Sequence, residues 1–280
     1  MTRRGIVSAI HPLFDPLGLI APYIMKAKLL LQTLRRKSLK WDDLIEETEK
    51  TQWNRWLDDF PKLEEVKVDR CFRPREFVEL KETQLHLYSD ASRQGYASVA
   101  YFHLKDTSNQ IYCAFAMGKA SLASLREISV PRLELTAAVI SVRLSKIIPE
   151  KLDMVIQRVY YWIDSILVLK CISNERFHSF QSNRLTVIHN GSSLSEWNYV
   201  NRDDNPADHG SRGLKLDAML KNYRWLKGPK FLWETESHWP RMIEIPTLRD
   251  GDPEIRKEAQ IYAAAVKNDV LESLANSYPS

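Results

Sequence analysis

Four carboxylates in this sequence stand where a chain can put them to chemical use. Asp90 lies in Tyr88-Ser89-Asp90-Ala91-Ser92, and Glu134 follows Pro131 in Pro131-Arg132-Leu133-Glu134-Leu135. Asp164 closes Tyr161-Trp162-Ile163-Asp164-Ser165, and Asp208 ends Asn205-Pro206-Ala207-Asp208. Each alone also has a structural role open to it. An aspartate at a strand end makes an Asx-turn, one before a helix caps it, and acids in a first helical turn meet the positive end of the macrodipole. As a group they imply more. Crowded carboxylates repel and rise in pKa unless cations join them, and an oxygen-only set without His or Cys selects a hard ion such as Mg²⁺ or Mn²⁺. Two such ions ~3.5–4 Å apart activate a water and stabilise the leaving oxygen of a phosphodiester.

The elements around these acids predict how they meet. Gln84 to Tyr88 alternates like a strand, Tyr96 to Leu104 is β-branched and aromatic, Asp106 to Asn109 is a turn, and Ile111 to Met117 is a third strand. Short turns between them imply an antiparallel meander. Pro131 opens a helix at its favoured first position, with Leu133, Ala137, Ile140, Leu144 and Ile147 as its buried stripe. Val155 to Ile163 reads as a buried fourth strand reached by a helical crossover. Helices follow from Ser165 and from about Phe180 to His189, then a fifth strand over Ser195–Val200 and a last helix from Asn205-Pro206. The order βββαβα(α)βα predicts an α/β fold with a five-stranded mixed sheet flanked by helices. Its first and fourth strands lie side by side and parallel. Their carboxyl ends then open on one edge, where ligand sites form, with Asp90 and Asp164 as neighbours. Glu134 sits just off its helix's stripe, beside the small residues Ala138 and Ser141, with room to lean toward them.

The flanks differ in rhythm. Residues 1–80 read as a helical segment rich in tryptophan, with Trp53, Trp56, Leu57 and Phe60 as a stripe at i, i+3, i+4 and i+7. Val66 to Pro74 is the linker. Residues 214–280 carry Trp225, Trp233 and Trp239 among prolines, then a charged helix near Pro253 to Asn276. One dominant stripe in eighty residues buries little surface, so 1–80 is expected to pack on the rest rather than fold alone, whereas 81–240 is expected to fold.

The 280 residues are 44% hydrophobic and 27% charged, as in a soluble globular chain, and 40 Lys and Arg against 36 Asp and Glu leave a net +4. So small a surplus demands no polyanion, and any basic groove must come from local clustering. Lys119, Arg126 and Arg132 flank the carboxylates and are the candidates for phosphate contacts, whereas Arg143 and Lys146 fit a solvated helix face equally well. Tyr160 and Trp162 read as core. Cys71, Cys113 and Cys171 have no zinc-type spacing and suit a reducing compartment. The longest apolar run, Leu17 to Met25, is too short for a bilayer, so neither membrane nor secretion is expected.

These motifs resemble ribonuclease H, and more closely the ribonuclease H domain of Bel/Pao-type LTR retrotransposon polyproteins. Pro131-Arg132-Leu133-Glu134-Leu135 with Ala137-Ala138, Tyr161 to Ser165, and Asn205 to Asp208 followed by Gly210-Ser211-Arg212-Gly213 carry the likeness. Phe14 to Leu19, Ala27 to Gln32 and Trp41-Asp42-Asp43 are similar to the segment joining that family's reverse transcriptase to its nuclease; Trp225 to Pro229 and Phe231-Leu232 resemble the piece before its integrase.

The resemblance implies a ribonuclease H-like fold and a metal-dependent endonuclease that hydrolyses the RNA strand of RNA–DNA hybrids. Asp90, Glu134, Asp164 and Asp208 would be catalytic residues and ligands of two Mg²⁺ (or Mn²⁺). It implies a reverse-transcriptase tail (thumb- or connection-like) over 1–80, the nuclease over 81–213 and an extension toward an integrase over 214–280. Its partners would be the hybrid and the remainder of the Pol polyprotein, its place the cytoplasm or a virus-like particle.

Two departures stand out. Lys119, Ser121 and Ser124 replace an expected Lys-x-Arg-x-x-Pro, and Asn201 to Asp204 lacks the histidine that often precedes the last aspartate, leaving His209 as a weak substitute. No Tyr-x-Asp-Asp, Asp-Thr-Gly or Asp-Ser-Gly occurs, which excludes a complete polymerase and an aspartic peptidase. The rival reading is a catalytically silent, connection-type domain of the same fold that binds nucleic acid. A transposase or integrase nuclease, usually with three acids, is disfavoured by the fourth.

Overall fold

The computed structural model describes residues 1–77, 79–173 and 179–241; the charged helix expected near Pro253 to Asn276 lies outside them. The chain opens with three helices, α1 (Arg3–Ile10), α2 (Ala21–Arg36) and α3 (Glu47–Asp58). Strands β1 (Leu80–Ala91), β2 (Gly95–Asp106) and β3 (Ile111–Leu122) follow, then α4 (Val130–Leu152), β4 (Arg158–Ile163), α5 (Ile166–Ser173), α6 (Ser179–Gly191) and β5 (Trp197–Tyr199). Short helices α7 (Ala207–Arg212), α8 (Leu216–Asn222) and α9 (Arg224–Lys227) come next, followed by 3₁₀ turns at Lys230–Trp233 and Glu236–His238.

The sheet order is β3-β2-β1-β4-β5. The meander β1–β2–β3 is antiparallel, while β4 runs parallel to β1 and β5 parallel to β4. The meander and the parallel β1–β4 pair are as expected, set by two tight turns and the crossover through α4; a second crossover carrying α5 and α6 sets β5 beside β4. Ser89 is in register with Ile163, so Asp90, near the end of β1, and Asp164, just past β4, lie side by side.

Alternation along the strands divides the interior into two cores. Leu85 and Leu87 of β1, Ala100 and Phe102 of β2, and Tyr161 and Ile163 of β4 face one core with Leu135, Ala138, Val142 and Ile148 of α4. Tyr88, Val99, Tyr101, Phe115 and Trp162 face the other, with Ile6, Tyr23, Leu34, Trp53 and Trp56 from the first three helices and Leu216, Trp225 and Leu232 from the last segment. Trp162 is buried, its indole donating to His86 Nδ1 at 3.0 Å, and the Tyr160 ring stacks on His86 at 4.7 Å.

Three local expectations are corrected. Trp53 and Trp56 are buried, but Leu57 and Phe60 are 37% and 41% exposed. The helix stops at Asp58, and Phe60 starts a 3₁₀ turn, so the i+7 member leaves the stripe. Tyr23 fills its place: its ring stacks on Trp56 at 4.7 Å, and the Trp56 indole donates to the Tyr23 carbonyl at 3.1 Å. In α4, Leu133, Ala137 and Leu144 are buried as expected, but Ile147 is exposed and Ile148 takes its place, and Leu135, Ala138 and Val142 widen the buried face. Val155, expected to begin β4, is 78% exposed. The chain turns back at Asp153 in the left-handed region, and Gln157 donates to the Thr83 carbonyl at 2.9 Å before pairing begins.

One seam joins the first helices to the sheet. The Gly118 amide donates to the Leu17 carbonyl at 2.7 Å, and the Trp225 indole donates to the Gly18 carbonyl at 2.9 Å. Gly18 has φ +76°, and a Cβ there would run into the Gly118 carbonyl. Gly18→Ala combines positive-φ strain with a backbone clash and is expected to cost roughly 2–5 kcal/mol in chemical denaturation. A loss below ~1 kcal/mol would show that the seam yields.

Candidate active site

The chain directs four acids to one edge of the sheet. Asp90 is the penultimate residue of β1 and 3% exposed; Asp164 follows β4; Glu134 lies in α4, which packs across β1 and β2; Asp208 lies in the first turn of α7. Asn205 ties the last of these elements to the sheet. Fully buried, it donates from Nδ2 to the Ser89 carbonyl at 3.0 Å, accepts from the Ala207 amide at 3.1 Å, and hydrogen-bonds the Asp164 carboxylate. One amide thereby fixes the ends of β1 and β4 and the start of α7.

The acids feel one another. Burial, with the charges of Asp164 and Asp208, pushes the Asp90 carboxyl up to about 7, against the Ser211 hydroxyl and Arg212. Burial also raises Asp164, helped by Asp208 and opposed by the Asn205 hydrogen bond and Arg202. Glu134 is raised by burial and by Asp164, with a hydrogen bond from Ser165 in opposition. The charges of Asp164 and Asp208 act on Asp90, that of Asp208 acts on Asp164, and that of Asp164 acts on Glu134.

Each acid also has a partner that sequence reasoning missed. The Ser211 hydroxyl donates to Asp90 Oδ2, and the Ser92 hydroxyl holds the Ser211 carbonyl at 2.9 Å. Arg212 Nε donates to Asp208 Oδ1 at 2.5 Å, with Arg202 Nε 3.9 Å from the same oxygen. The Asp208–Arg212 pair has i,i+4 spacing and was readable on a helix. The Ser211–Asp90 contact spans 121 positions and leaves no local trace. Among the described residues, no group of three His, Cys, Asp or Glu side chains is drawn together tightly enough to hold a metal ion as it stands. The hydrogen bonds to Ser211, Ser165, Asn205 and Arg212 hold each carboxylate to its own neighbour.

The basic candidates do not gather at one point. Lys119 is exposed on β3. Arg126 is exposed between β3 and α4 and lines a cleft on the side of α1 and α2. Arg132, half-buried in α4, lies within electrostatic reach of Arg184 of α6. Arg143 and Lys146 are exposed on the outer face of α4. His209 is no mobile helper. It is buried, its Nε2 accepts from Arg224 Nη2 at 2.9 Å, and burial with the Arg224 charge lowers it to about 4.

The raised Asp90 makes stability depend on pH. An unfolded Asp ionises near 3.8 and the folded carboxyl only near about 7, so the folded state holds the extra proton between these values. Stability then falls as pH rises from about 4 to about 7 and stays low above. Asp90→Asn removes that cost. In EDTA the variant is expected to gain about 2–4 kcal/mol at pH 8 and little at pH 4, read from denaturant melts at both values. Equal stability at pH 8 would mean that Ser211 and Arg212 neutralise the buried charge.

A five-stranded mixed sheet in this order, flanked by helices and carrying acids at the ends of β1 and β4, is the ribonuclease H-like fold. The chain belongs to the Pao retrotransposon-like RNaseH-like domain family, which it matches over residues 2–165. That span takes in the first helices together with Asp90, Glu134 and Asp164. No curated protein matches the sequence. Among solved structures, the N-terminal RNase H domain of a Mycobacterium tuberculosis protein, fused to maltose-binding protein, is 14% identical, covering 51% of this chain and 99% of its own with a TM-score of 0.34. RNase H1 of Halobacterium salinarum is 10% identical over 45% and 91%, with a TM-score of 0.29. LC11-RNase H1 in complex with an RNA/DNA hybrid is 11% identical over 46% and 93%, with a TM-score of 0.33. Among the described residues, no helix is long and apolar enough to cross a membrane.

Proposed function

We propose that this chain is a metal-dependent endonuclease that hydrolyses the RNA strand of RNA–DNA hybrids. The observation that carries the reading is the electrostatic coupling of Asp90, Glu134, Asp164 and Asp208 at the edge where β1 and β4 end. Asp90, Glu134 and Asp164 are each raised by burial and by a neighbouring acid; crowded carboxylates are costly to keep together, and the cost is recovered when cations bind. The donor set is all oxygen, which fits Mg²⁺ or Mn²⁺, and the four acids are the residues that would hold two such ions. When bound, these ions supply an activated water and charge stabilisation at the phosphodiester.

The chain's own groups have defined tasks. Asn205 orients Asp164 and fixes the Ser89 end of β1. Arg212 and Arg202 offset the charge of Asp208, and the Ser211 hydroxyl holds Asp90 by one oxygen. Lys119, Arg126 and Arg132 supply positive charge for phosphates around the site. In a retrotransposon Pol polyprotein, residues 1–80 would be the end of a reverse transcriptase, 81–213 the nuclease, and 214–280 a link toward an integrase. Its partners there would be the hybrid, the polymerase and the integrase, in the cytoplasm or a virus-like particle.

The engagement of every acid by a neighbouring side chain favours one second reading, a catalytically silent domain of the same fold that binds nucleic acid. A labelled hybrid incubated with and without Mg²⁺ decides between them. Metal-dependent cutting of the RNA strand supports the nuclease; binding without cutting supports the silent domain.

A further inference from the structure

The sheet edge that carries the acids also carries a basic cleft. The last residue of β3, Leu122, pairs with Gly95 at the start of β2, two strands from the end of β1. The Ala123 amide then donates to the Gln94 carbonyl at 2.9 Å, and Gln32 of α2 donates to the Ala123 carbonyl at 2.7 Å. These bonds fix α2 against this end of the sheet. Between α1, α2, Trp41 and the loop after β3 lies a cleft of about 660 Å³, a size that accommodates a small organic group.

Its lining is positive and aromatic. Arg3, Arg35 and Arg126 line it with Trp41 and Leu125, and among the described residues no acidic side chain does. Arg35 and Arg126 are exposed and make no ion pair among the described residues. Nearby Arg4 is neutralised by Asp42, which accepts from it at 2.7 and 2.8 Å. Trp41 is 48% exposed yet held in place. The Arg3 guanidinium lies 3.9 Å from the centroid of its ring and donates to the Leu39 carbonyl at 2.7 Å. Three cations without counter-ions favour a polyanion, and a fixed, partly open indole favours a base that can stack. In a duplex the bases already stack on each other, so the pairing of these features fits an unpaired strand.

We infer that the Trp41 cleft is a subsite for an unpaired nucleic-acid strand running off the hybrid at the acidic edge. The inference rests on the nuclease reading for the hybrid, while the cleft's own chemistry sets its preference for a single strand.

The test is binding in EDTA, where no cleavage is read. Fluorescence anisotropy would compare a blunt hybrid with hybrids bearing an unpaired DNA or RNA tail of about ten nucleotides. Trp41→Ala and Arg35→Gln, both exposed positions, are checked for an unchanged melting temperature. Trp41→Ala is expected to weaken tailed probes about tenfold and leave the blunt hybrid unchanged. Arg35→Gln is expected to lower the salt slope for tailed probes by about 0.7. The DNA and RNA arms show which strand the cleft takes. Unchanged affinity for every tailed probe overturns the inference and returns the cleft to a protein partner; equal loss on blunt and tailed probes overturns it in favour of general hybrid binding. A separate Mg²⁺ cleavage assay keeps the two readings apart. Cleavage without a tail effect sinks the subsite alone, and a tail effect without cleavage sinks the nuclease alone.

Discussion

Asp164→Asn is expected to lower Mg²⁺-dependent hydrolysis of an RNA–DNA hybrid by about 10³-fold or more, with a melting temperature equal to or above that of the wild type. A bound metal supplies several kcal/mol of transition-state stabilisation, and ~4 kcal/mol corresponds to about 10³ in rate. Asparagine keeps the shape of Asp164 and can still accept from Asn205, so the sheet end stays in place. Removing one of the coupled charges also relieves Asp90, which Asp164 helps to raise. Asp153→Asn is the matched control. It lies before β4, at the opposite edge of the sheet, in a left-handed conformation that asparagine tolerates. If Asp164→Asn retained most of its activity, the residue would be a partner of Asn205 and no more.

The sequence made the sheet legible because its strands differ in kind. The β1–β3 meander is punctuated by turns, and β4 follows a 23-residue helix, which forces a crossover and hence a parallel pair. Strand order then brings Asp90 and Asp164 together without any side-chain detail. What stayed hidden depends on contacts far apart in sequence. Ser211 reaches Asp90 and Asn205 reaches Ser89 only where α7 docks on the sheet. The helix stripes failed at their ends for a related reason. Periodicity does not say where a helix stops, so it places Phe60 and Ile147 on faces that the chain leaves or rotates away from.

The two-sided sheet has a consequence for His209. A histidine beside Asp208 looks available in the sequence, but α7 packs against β1 and β2 and turns it inward to Arg224. A group lowered to about 4 and closed off from solvent carries no proton to product at neutral pH.

Residues 1–80, expressed alone, are expected to be unfolded or aggregated, with random-coil circular dichroism and rapid proteolysis. The aromatic cluster that orders them looks self-sufficient at first. Trp53 and Trp56 stack at 5.0 Å, and Tyr23 stacks on Trp56. Yet the core that encloses them also contains Tyr88, Val99, Tyr101 and Phe115 of the sheet and Trp225 and Leu232 of the last segment. Gln32, Pro22, Leu17 and Gly18 spend polar groups on Ala123, Leu214, Gly118 and Trp225. Cutting after residue 80 leaves those groups unmatched and uncovers large apolar surface on both sides, each buried side chain being worth ~1.5–3 kcal/mol. The sequence alone expects 81–240 to fold without its first helices. The shared core argues that this piece folds only weakly, losing several kcal/mol against the whole chain. Mixing the two fragments should restore a cooperative melt. A sharp, protease-resistant transition for 1–80 by itself would show that the cluster of Tyr23, Trp53 and Trp56 suffices, and that the seam at Gly18 joins two finished domains.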